Sequence, residues 1–446
     1  MNKIHGRGRL ILYAFSGMGI NMLNLMMGSY LCSALLRGGF GADAIPYQTY
    51  VGRDLVIAAV WAAFVLAAKI IDGVIDIPMA SFTDNLRTRF GRRRPALVIG
   101  LIPLLASYLL FLVVPDPTGA TLLNTVYYGI VLCVFYTSYT LTMVTYYATY
   151  TEIVDTQRER STIANAKSVF DIVYYILGYV AVRALLNGMN IRAVALIVLP
   201  LSLTMVIPLF MIKEPDLSKR SVEREKQPGI NLFQSLAYTF RNRSFILWMV
   251  AYAFMTFGVQ LFLGGINEYF SFVGMSMIYV MVAAFAPVPF TLMLYNRIQR
   301  RFGFGAAFRY ALATFSAGML MMFAVGTLDA GTLKTVLSIV TGLVSSFAIG
   351  ALFAVAYSVP AQLAAEEREK TGVSNSAMYF AVQGLFAGVA TGIGTGIVLT
   401  ALKGSQESAS GAIVYLTVIA AAGTLVSLAL TFALPKSVTA MGKDEQ

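Results

Sequence analysis

Apolar runs of about twenty residues recur from one end of the chain to the other, separated by short polar segments. A run of this length forms a helix that spans the hydrocarbon core of a bilayer, which is roughly 30 Å thick. The pattern predicts an all-α polytopic membrane protein. We place its 12 transmembrane helices at about 9–36, 54–82, 95–114, 121–149, 161–186, 191–212, 244–266, 273–296, 306–327, 333–358, 377–402 and 410–434.

The longest polar stretch covers residues 213–243 and separates the runs into two groups of six. The motif Arg-Phe-Gly follows the second run at residues 89–91 and the eighth run at residues 301–303, an offset of 212. Matching loops at one offset indicate an internal duplication. We predict an N-terminal six-helix bundle over 1–212, a cytoplasmic linker over 213–243 and a C-terminal six-helix bundle over 244–446.

Charge is scarce, because only 12% of the residues are Asp, Glu, Lys or Arg, about half the proportion in a soluble domain. The net charge is +11, but most basic residues lie in short loops that fall on one side of the predicted membrane. This asymmetry orients a membrane protein and gives no reason to expect a nucleic-acid partner. We expect a multi-pass protein of the plasma membrane (the bacterial inner membrane) with both termini in the cytoplasm.

Few residues are suited to covalent or metal chemistry. Cys32 and Cys133 lie within apolar runs, and the only histidine, His5, is in the polar N-terminal segment. The single histidine excludes a histidine-based active site, and the position of both cysteines within apolar runs argues against a disulfide framework. We therefore expect a monomeric protein that is not an enzyme and has no cofactor, with a small-molecule solute and the lipid bilayer as its partners.

Two acidic residues, Asp72 and Asp76, lie four residues apart in the second run, so they share one face of a helix. A charge at membrane depth costs roughly 2.5–3.5 kcal/mol, which makes such residues candidates for function. Two adjacent carboxylates take up a proton or share a cation. We interpret them as a coupling-ion site, which would be a metal site only for Na⁺. The alternative is an ion pair with Lys69, three residues before Asp72.

Five further polar residues are candidates for solute binding. Lys167 and Asp171 are four residues apart in the fifth run, where they either neutralise each other or face a central cavity. Asn21 and Gln383 are amides in apolar runs, which line cavities or join helices. Tyr147 belongs to a Tyr- and Thr-rich part of the fourth run, suited to a polyol or to interfacial anchoring.

A further group of charged residues marks the ends of the runs. Asp84 ends the second run and precedes an arginine-rich loop that includes Arg87 and Arg92. The loop satisfies the positive-inside rule, and the same acid and arginines suit a salt-bridged latch between helices. Arg160, after the fourth run, and Lys370, after the tenth, complete the candidate gating residues.

Together these motifs resemble the signature of the glycoside–pentoside–hexuronide:cation symporters, the melibiose-carrier-like branch of the major facilitator superfamily. Both halves contribute to the resemblance, which implies a major facilitator fold of two six-helix halves. The matching segments are Lys69-Ile-Ile-Asp72-Gly-Val-Ile-Asp76 with the loop up to Pro95, the loop 152–160, and Glu369-Lys370-Thr371-Gly372.

The resemblance implies that Asp72 and Asp76 bind the coupling cation and that Thr140 contributes a hydroxyl ligand. Ile75 stands where the best-known sodium-using member has an asparagine, which favours H⁺ over Na⁺. Asn21 stands where the melibiose carrier has a sugar-binding aspartate, and Lys167 aligns with its cavity arginine. The solute is therefore predicted to be a glycoside or, if Lys167 binds an anion, a uronide.

We predict a secondary active transporter that moves a sugar, a glycoside or a related small solute together with H⁺ or Na⁺ by alternating access. The alternative is a carrier of lipids, lysolipids or other amphiphiles on the same fold. The loss of acidic residues from the predicted sugar site is compatible with that alternative.

Overall fold

The computed structural model describes residues 3–36, 53–154, 157–216, 240–371, 376–403, 411–441 and 443. Within these residues the secondary structure is helical and contains no β-strand, so the predicted all-α class is confirmed. The chain divides into two compact units, Met1–Lys226 and Gln227–Gln446. Of the predicted linker, residues 217–239 lie outside the described residues.

The helices of each unit follow the apolar runs. In the first unit they are α1 (Arg7–Ala34), α2 (Ala58–Val74), α3 (Asp76–Asn85), α4 (Arg93–Phe111), α5 (Leu122–Glu152), α6 (157–186) and α7 (Ile191–Met211). In the second unit they are α8 (Arg243–Val273), α9 (Met277–Phe285), α10 (Val288–Phe302), α11 (Phe304–Gly326), α12 (Thr332–Thr371), α13 (376–403), α14 (Gly411–Thr431) and α15 (Lys436–Thr439).

In the described part of the chain, 10 helices are long and apolar enough to cross a membrane, and α9 with α10 brings the number to 11. They correspond to all the predicted runs except 54–82, where α2 ends after 17 residues. A helix of that length rises about 26 Å, less than the hydrocarbon core. This run also carries Lys69, Asp72 and Asp76, the residues with the candidate ion chemistry.

The second helix of the first unit is interrupted at Ile75, between α2 and α3. Pro78 has no N–H group and cannot donate to the Val74 carbonyl, which explains the interruption there. In the second unit, α9 and α10 are bent by 43° at a break before Val288. Pro287 and Pro289 remove two donors at that break. Both units therefore break the corresponding helix at corresponding positions.

The loop after each broken helix turns at a glycine in the left-handed region. Gly91 and Gly303 both have φ 88°. A Cβ atom at Gly91 would lie 2.2 Å from the Glu214 Cβ atom, and one at Gly303 would lie 2.6 Å from the Thr439 carbonyl oxygen. In each unit the segment after the last long helix packs against this turn, which leaves no room for a side chain.

We expect Gly303→Ala to destabilise the protein strongly. Gly303 has ψ 168°, a backbone region that is almost confined to glycine and costs other residues about 1–3 kcal/mol, and the methyl group would also meet Thr439. The control is Gly274→Ala, at φ 67° with open space around it, which should cost only about 1 kcal/mol. Thermal unfolding in detergent measures both, and equal shifts of the midpoint would contradict the role of packing.

Candidate functional site

The break at Ile75 makes Asp76 the first residue of α3, while Asp72 stays in the last turn of α2. The N-terminus of a helix carries a partial positive charge, which stabilises a carboxylate there. Thr140 of α5 is buried, and its Oγ1 donates a hydrogen bond of 2.8 Å to Asp72 Oδ1. The structure therefore joins Thr140 to Asp72, which lies one helical turn before Asp76.

Lys69 lies in the same cluster. Its Nζ is 3.8 Å from Asp72 Oδ2, at the long end of ion-pair distances. The same ammonium lies 3.7 Å from the centre of the Tyr136 ring, a cation–π geometry. Asp72 thus has a positive neighbour on its own helix and a hydroxyl donor on α5, and the ion pair weighed as the alternative is present.

Asp76 differs from Asp72 in this respect. Among the residues that the structure describes, no basic side chain forms an ion pair with Asp76. Lys69 lies beside Asp72, so the pair of aspartates carries an excess negative charge at Asp76 when both are ionised. A proton or a bound cation at this carboxylate removes that charge.

The predicted solute residues of α5 and α6 also meet. Lys167 Nζ and Asp171 Oδ2 are 2.5 Å apart, and both side chains are partly exposed. Lys167 Nζ also lies 5.3 Å from the centre of the Tyr147 ring. The three residues form a cluster with a cation, a carboxylate and an aromatic face, while the charges of Lys167 and Asp171 compensate each other.

The two amides have partners inside their own units. Asn21 of α1 accepts a hydrogen bond of 3.1 Å from the Tyr139 hydroxyl of α5. Gln383 of α13 accepts one of 2.7 Å from Trp248 Nε1 of α8. Asn21 is 8% exposed and Gln383 is 5% exposed, so these contacts fit the interpretation in which the amides join helices.

Tyr146 joins α5 to α1 through its hydroxyl group. The buried Tyr146 hydroxyl donates to the Tyr13 carbonyl of α1 and accepts hydrogen bonds of 3.2 Å from Ser16 Oγ and from the Gly17 amide. A Cβ atom at Gly17 would lie 2.6 Å from the Tyr146 ring. Of the aromatic cluster predicted from sequence, Tyr147 is the tyrosine that lies over Lys167.

The candidate gating residues are described only in part. The side chains of Asp84, Arg160 and Lys370 lie outside the described residues, and Arg87 is exposed while Arg92 is half-buried.

The structure instead reveals a contact that the sequence did not suggest. Glu214 Oε2 accepts the backbone N–H groups of Arg93, at 2.8 Å, and Arg94, at 3.3 Å. The buried Arg93 side chain donates to Thr83 Oγ1 at 3.1 Å. These bonds tie the ends of α3 and α4 to the segment after α7. An acidic residue directly after the sixth apolar run was the available signal.

Comparison with known families then identifies the chain. The family described as MFS/sugar transport protein matches residues 12–435. The chain belongs to this family. The match confirms the resemblance to the melibiose-carrier-like branch of the major facilitator superfamily and shows a multi-pass membrane transporter of small solutes rather than an enzyme. Among curated proteins, no sequence matches the chain.

Solved structures of other transporters share the fold. The nucleoside transporter NupG is 14% identical with a TM-score of 0.63, over 96% of this chain and 98% of NupG. A bacterial homologue of the iron transporter ferroportin is 12% identical with a TM-score of 0.61, over 96% and 98%. A bacterial homologue of the human lysosomal transporter Spinster is 11% identical with a TM-score of 0.58, over 97% of each chain. At these identities the likeness establishes the fold alone.

We expect Glu214→Ala to destabilise this transporter, because it removes the acceptor for two N–H groups in the first turn of α4. Loss of an N-terminal helix cap costs about 0.5–2 kcal/mol. Glu214→Gln keeps an acceptor and should lose less than half of that amount. The thermal midpoint in detergent measures both changes, and an unaltered midpoint for Glu214→Ala would show that the contact contributes nothing.

Proposed function

We propose that this transporter is a symporter that couples the entry of a small sugar or glycoside to H⁺. The observation that carries the proposal is the contrast between the two aspartates: Asp72 has Lys69 and Thr140 beside it, whereas Asp76 has no basic partner within the described chain. The proposal also holds that the protein works as a monomer in the plasma membrane with both termini in the cytoplasm.

The residues around the pair favour a proton over Na⁺. A hard metal cation requires several oxygen ligands, and among the described residues no group of three or more His, Cys, Asp or Glu side chains forms such a cage. Lys69 already places one positive charge beside Asp72, and Ile75 brings no oxygen from its side chain. A single proton on Asp76 completes the compensation of charge without further ligands.

In this mechanism Asp76 takes up a proton from one side of the membrane and releases it on the other. Ionised Asp76 places an uncompensated charge at membrane depth, which costs roughly 2.5–3.5 kcal/mol. Protonation removes that cost in the loaded carrier. Coupling is reciprocal, so a proton that favours solute binding is itself bound more tightly when the solute is present.

The cluster of Lys167, Asp171 and Tyr147 supports a neutral solute. Lys167 and Asp171 present a donor and an acceptor side by side, which complements neighbouring hydroxyl groups on a sugar ring. The Tyr147 ring adds an aromatic face beside them. Because Asp171 compensates the charge of Lys167, a neutral glycoside suits this cluster better than a uronide.

We expect Asp76→Asn to reduce accumulation driven by a proton gradient in proteoliposomes by at least about tenfold. The reason is that residue 76 then stays neutral throughout the transport cycle. Exchange of labelled for unlabelled solute should persist, since exchange needs no net proton transfer. Asp116→Asn, in an exposed loop, is the matched control and should accumulate solute normally. Full gradient-driven accumulation by Asp76→Asn, or accumulation driven by Na⁺ alone in the wild type, would reject proton coupling through Asp76.

We expect Asp171→Asn to shift the preference of the transporter towards acidic glycosides. The substitution removes the negative charge of Asp171 from beside the Lys167 ammonium, so the cluster attracts an anionic solute more strongly. A charge-assisted hydrogen bond contributes about 1.5–3 kcal/mol, so the ratio of uronide to neutral glycoside uptake should rise about tenfold or more. Competition by paired neutral and acidic glycosides measures the ratio, and an unchanged ratio would remove Lys167 and Asp171 from the solute site.

A further inference from the structure

The exposed face of α10 changes from apolar to basic along one line. Phe290 is 72% exposed and Leu294 is 50% exposed, and the exposed side chains of Arg297 and Arg301 continue the same line. Residues spaced by three, four, seven and eleven positions lie on one side of a helix. Since α9 and α10 together are apolar enough to cross a membrane, this change places both arginines at the level of the lipid headgroups.

Neither arginine has an acidic partner among the described residues. Within the described part of the chain no ion pair involves Arg297 or Arg301, and the sequence contains no Asp or Glu between Glu268 and Asp329. The two guanidinium groups are four residues apart, a spacing at which like charges repel on a helix. An anion between them relieves the repulsion.

The internal repeat shows that this pair is specific to the second unit. At the offset of 212, Asp84 and Asn85 correspond to Asn296 and Arg297. The first unit therefore has an acid in this region and a single counterpart, Arg89, for the pair. Both units keep an aromatic ring beside this position: the Arg301 guanidinium lies 5.2 Å from the centre of the Phe302 ring and the Arg89 guanidinium lies 4.7 Å from that of Phe90. Phe302 is 57% exposed, as expected of an aromatic ring at the membrane interface, and the second arginine, Arg297, is what distinguishes the second unit.

We propose that Arg297 and Arg301 bind the phosphate group of an anionic phospholipid whose acyl chain lies along Phe290 and Leu294. Arginine forms paired hydrogen bonds to phosphate oxygens, and basic residues next to a membrane helix attract anionic lipids. The adjoining apolar line selects a lipid over free phosphate. The proposal concerns the second unit alone and does not depend on the ion coupled to transport.

The test is lipid binding by the full-length, delipidated protein in detergent, followed by native mass spectrometry. The wild type should bind phosphatidylglycerol at least tenfold more tightly than phosphatidylcholine. The double variant Arg297→Gln/Arg301→Gln should lose that preference. The matched control, Arg241→Gln/Arg243→Gln, removes the same charge from two exposed arginines at the start of α8 and should keep it.

Two further arms separate the sources of the signal. Leu294→Ser keeps both arginines and should weaken phosphatidylglycerol binding several-fold, which is measurable even if the double arginine variant fails to fold. Inorganic phosphate in large excess should not displace the lipid. The proposal is overturned if the wild type binds the two lipids equally, or if the double arginine variant keeps the preference. It is also overturned if the control loses the preference, if Leu294→Ser binds phosphatidylglycerol as the wild type does, or if phosphate displaces the lipid.

Discussion

The cost of placing charge inside a bilayer governs the arrangement of the first unit. Lys69 and Asp72 compensate each other's charge across one turn of helix, and Lys167 and Asp171 do the same on α6. Asp76 is the carboxylate that this scheme leaves without compensation in the described residues. Its position at the first residue of α3 supplies only the partial charge of a helix end. The chemistry proposed for the transporter follows from that remaining charge.

The two units share backbone geometry more closely than they share charge. Each has an interrupted helix at Ile75 or before Val288, and each turns at a glycine with φ 88°. The glycine of the turn stands at the same offset position in both units, whereas the prolines at the breaks do not, because Pro78 corresponds to Phe290. Ala284 and Val288 stand at the offset positions of the acidic pair, so the pair proposed to bind the coupling ion has no acidic counterpart in the second unit.

Hydrophobicity predicted the helices well, because a span in lipid has to satisfy its backbone internally and therefore appears as one apolar run. Charged residues in such runs stand out for the same reason, which is why Asp72 and Asp76 were evident. The interruption at Ile75 was harder to foresee, because the apolar run continues through Pro78. The role of Thr140 was predicted only from the family resemblance, since nothing in the neighbouring sequence distinguishes it from the other threonines of α5.

Contacts between distant segments were not predictable in this way. The hydrogen bond from the Arg93 amide to Glu214 joins residues 121 positions apart, and no periodic pattern connects them. The side-chain amides of Asn21 and Gln383 could line a cavity or join helices. The choice depends on whether a partner such as Tyr139 or Trp248 lies opposite the amide. The sequence therefore located polar side chains within the bilayer but did not distinguish those facing a solute from those facing another helix.

The turn at Gly303 ties residues 439–441 to the transmembrane bundle. Beyond α14, helix α15 packs against this turn, and the Met441 carbonyl oxygen accepts a hydrogen bond of 2.9 Å from the Phe304 amide at the start of α11. A truncation before Met441 would remove the carbonyl oxygen that accepts the hydrogen bond of the Phe304 amide. The junction for an affinity tag or a fluorescent fusion therefore belongs after Met441, even though the apolar sequence stops several residues earlier.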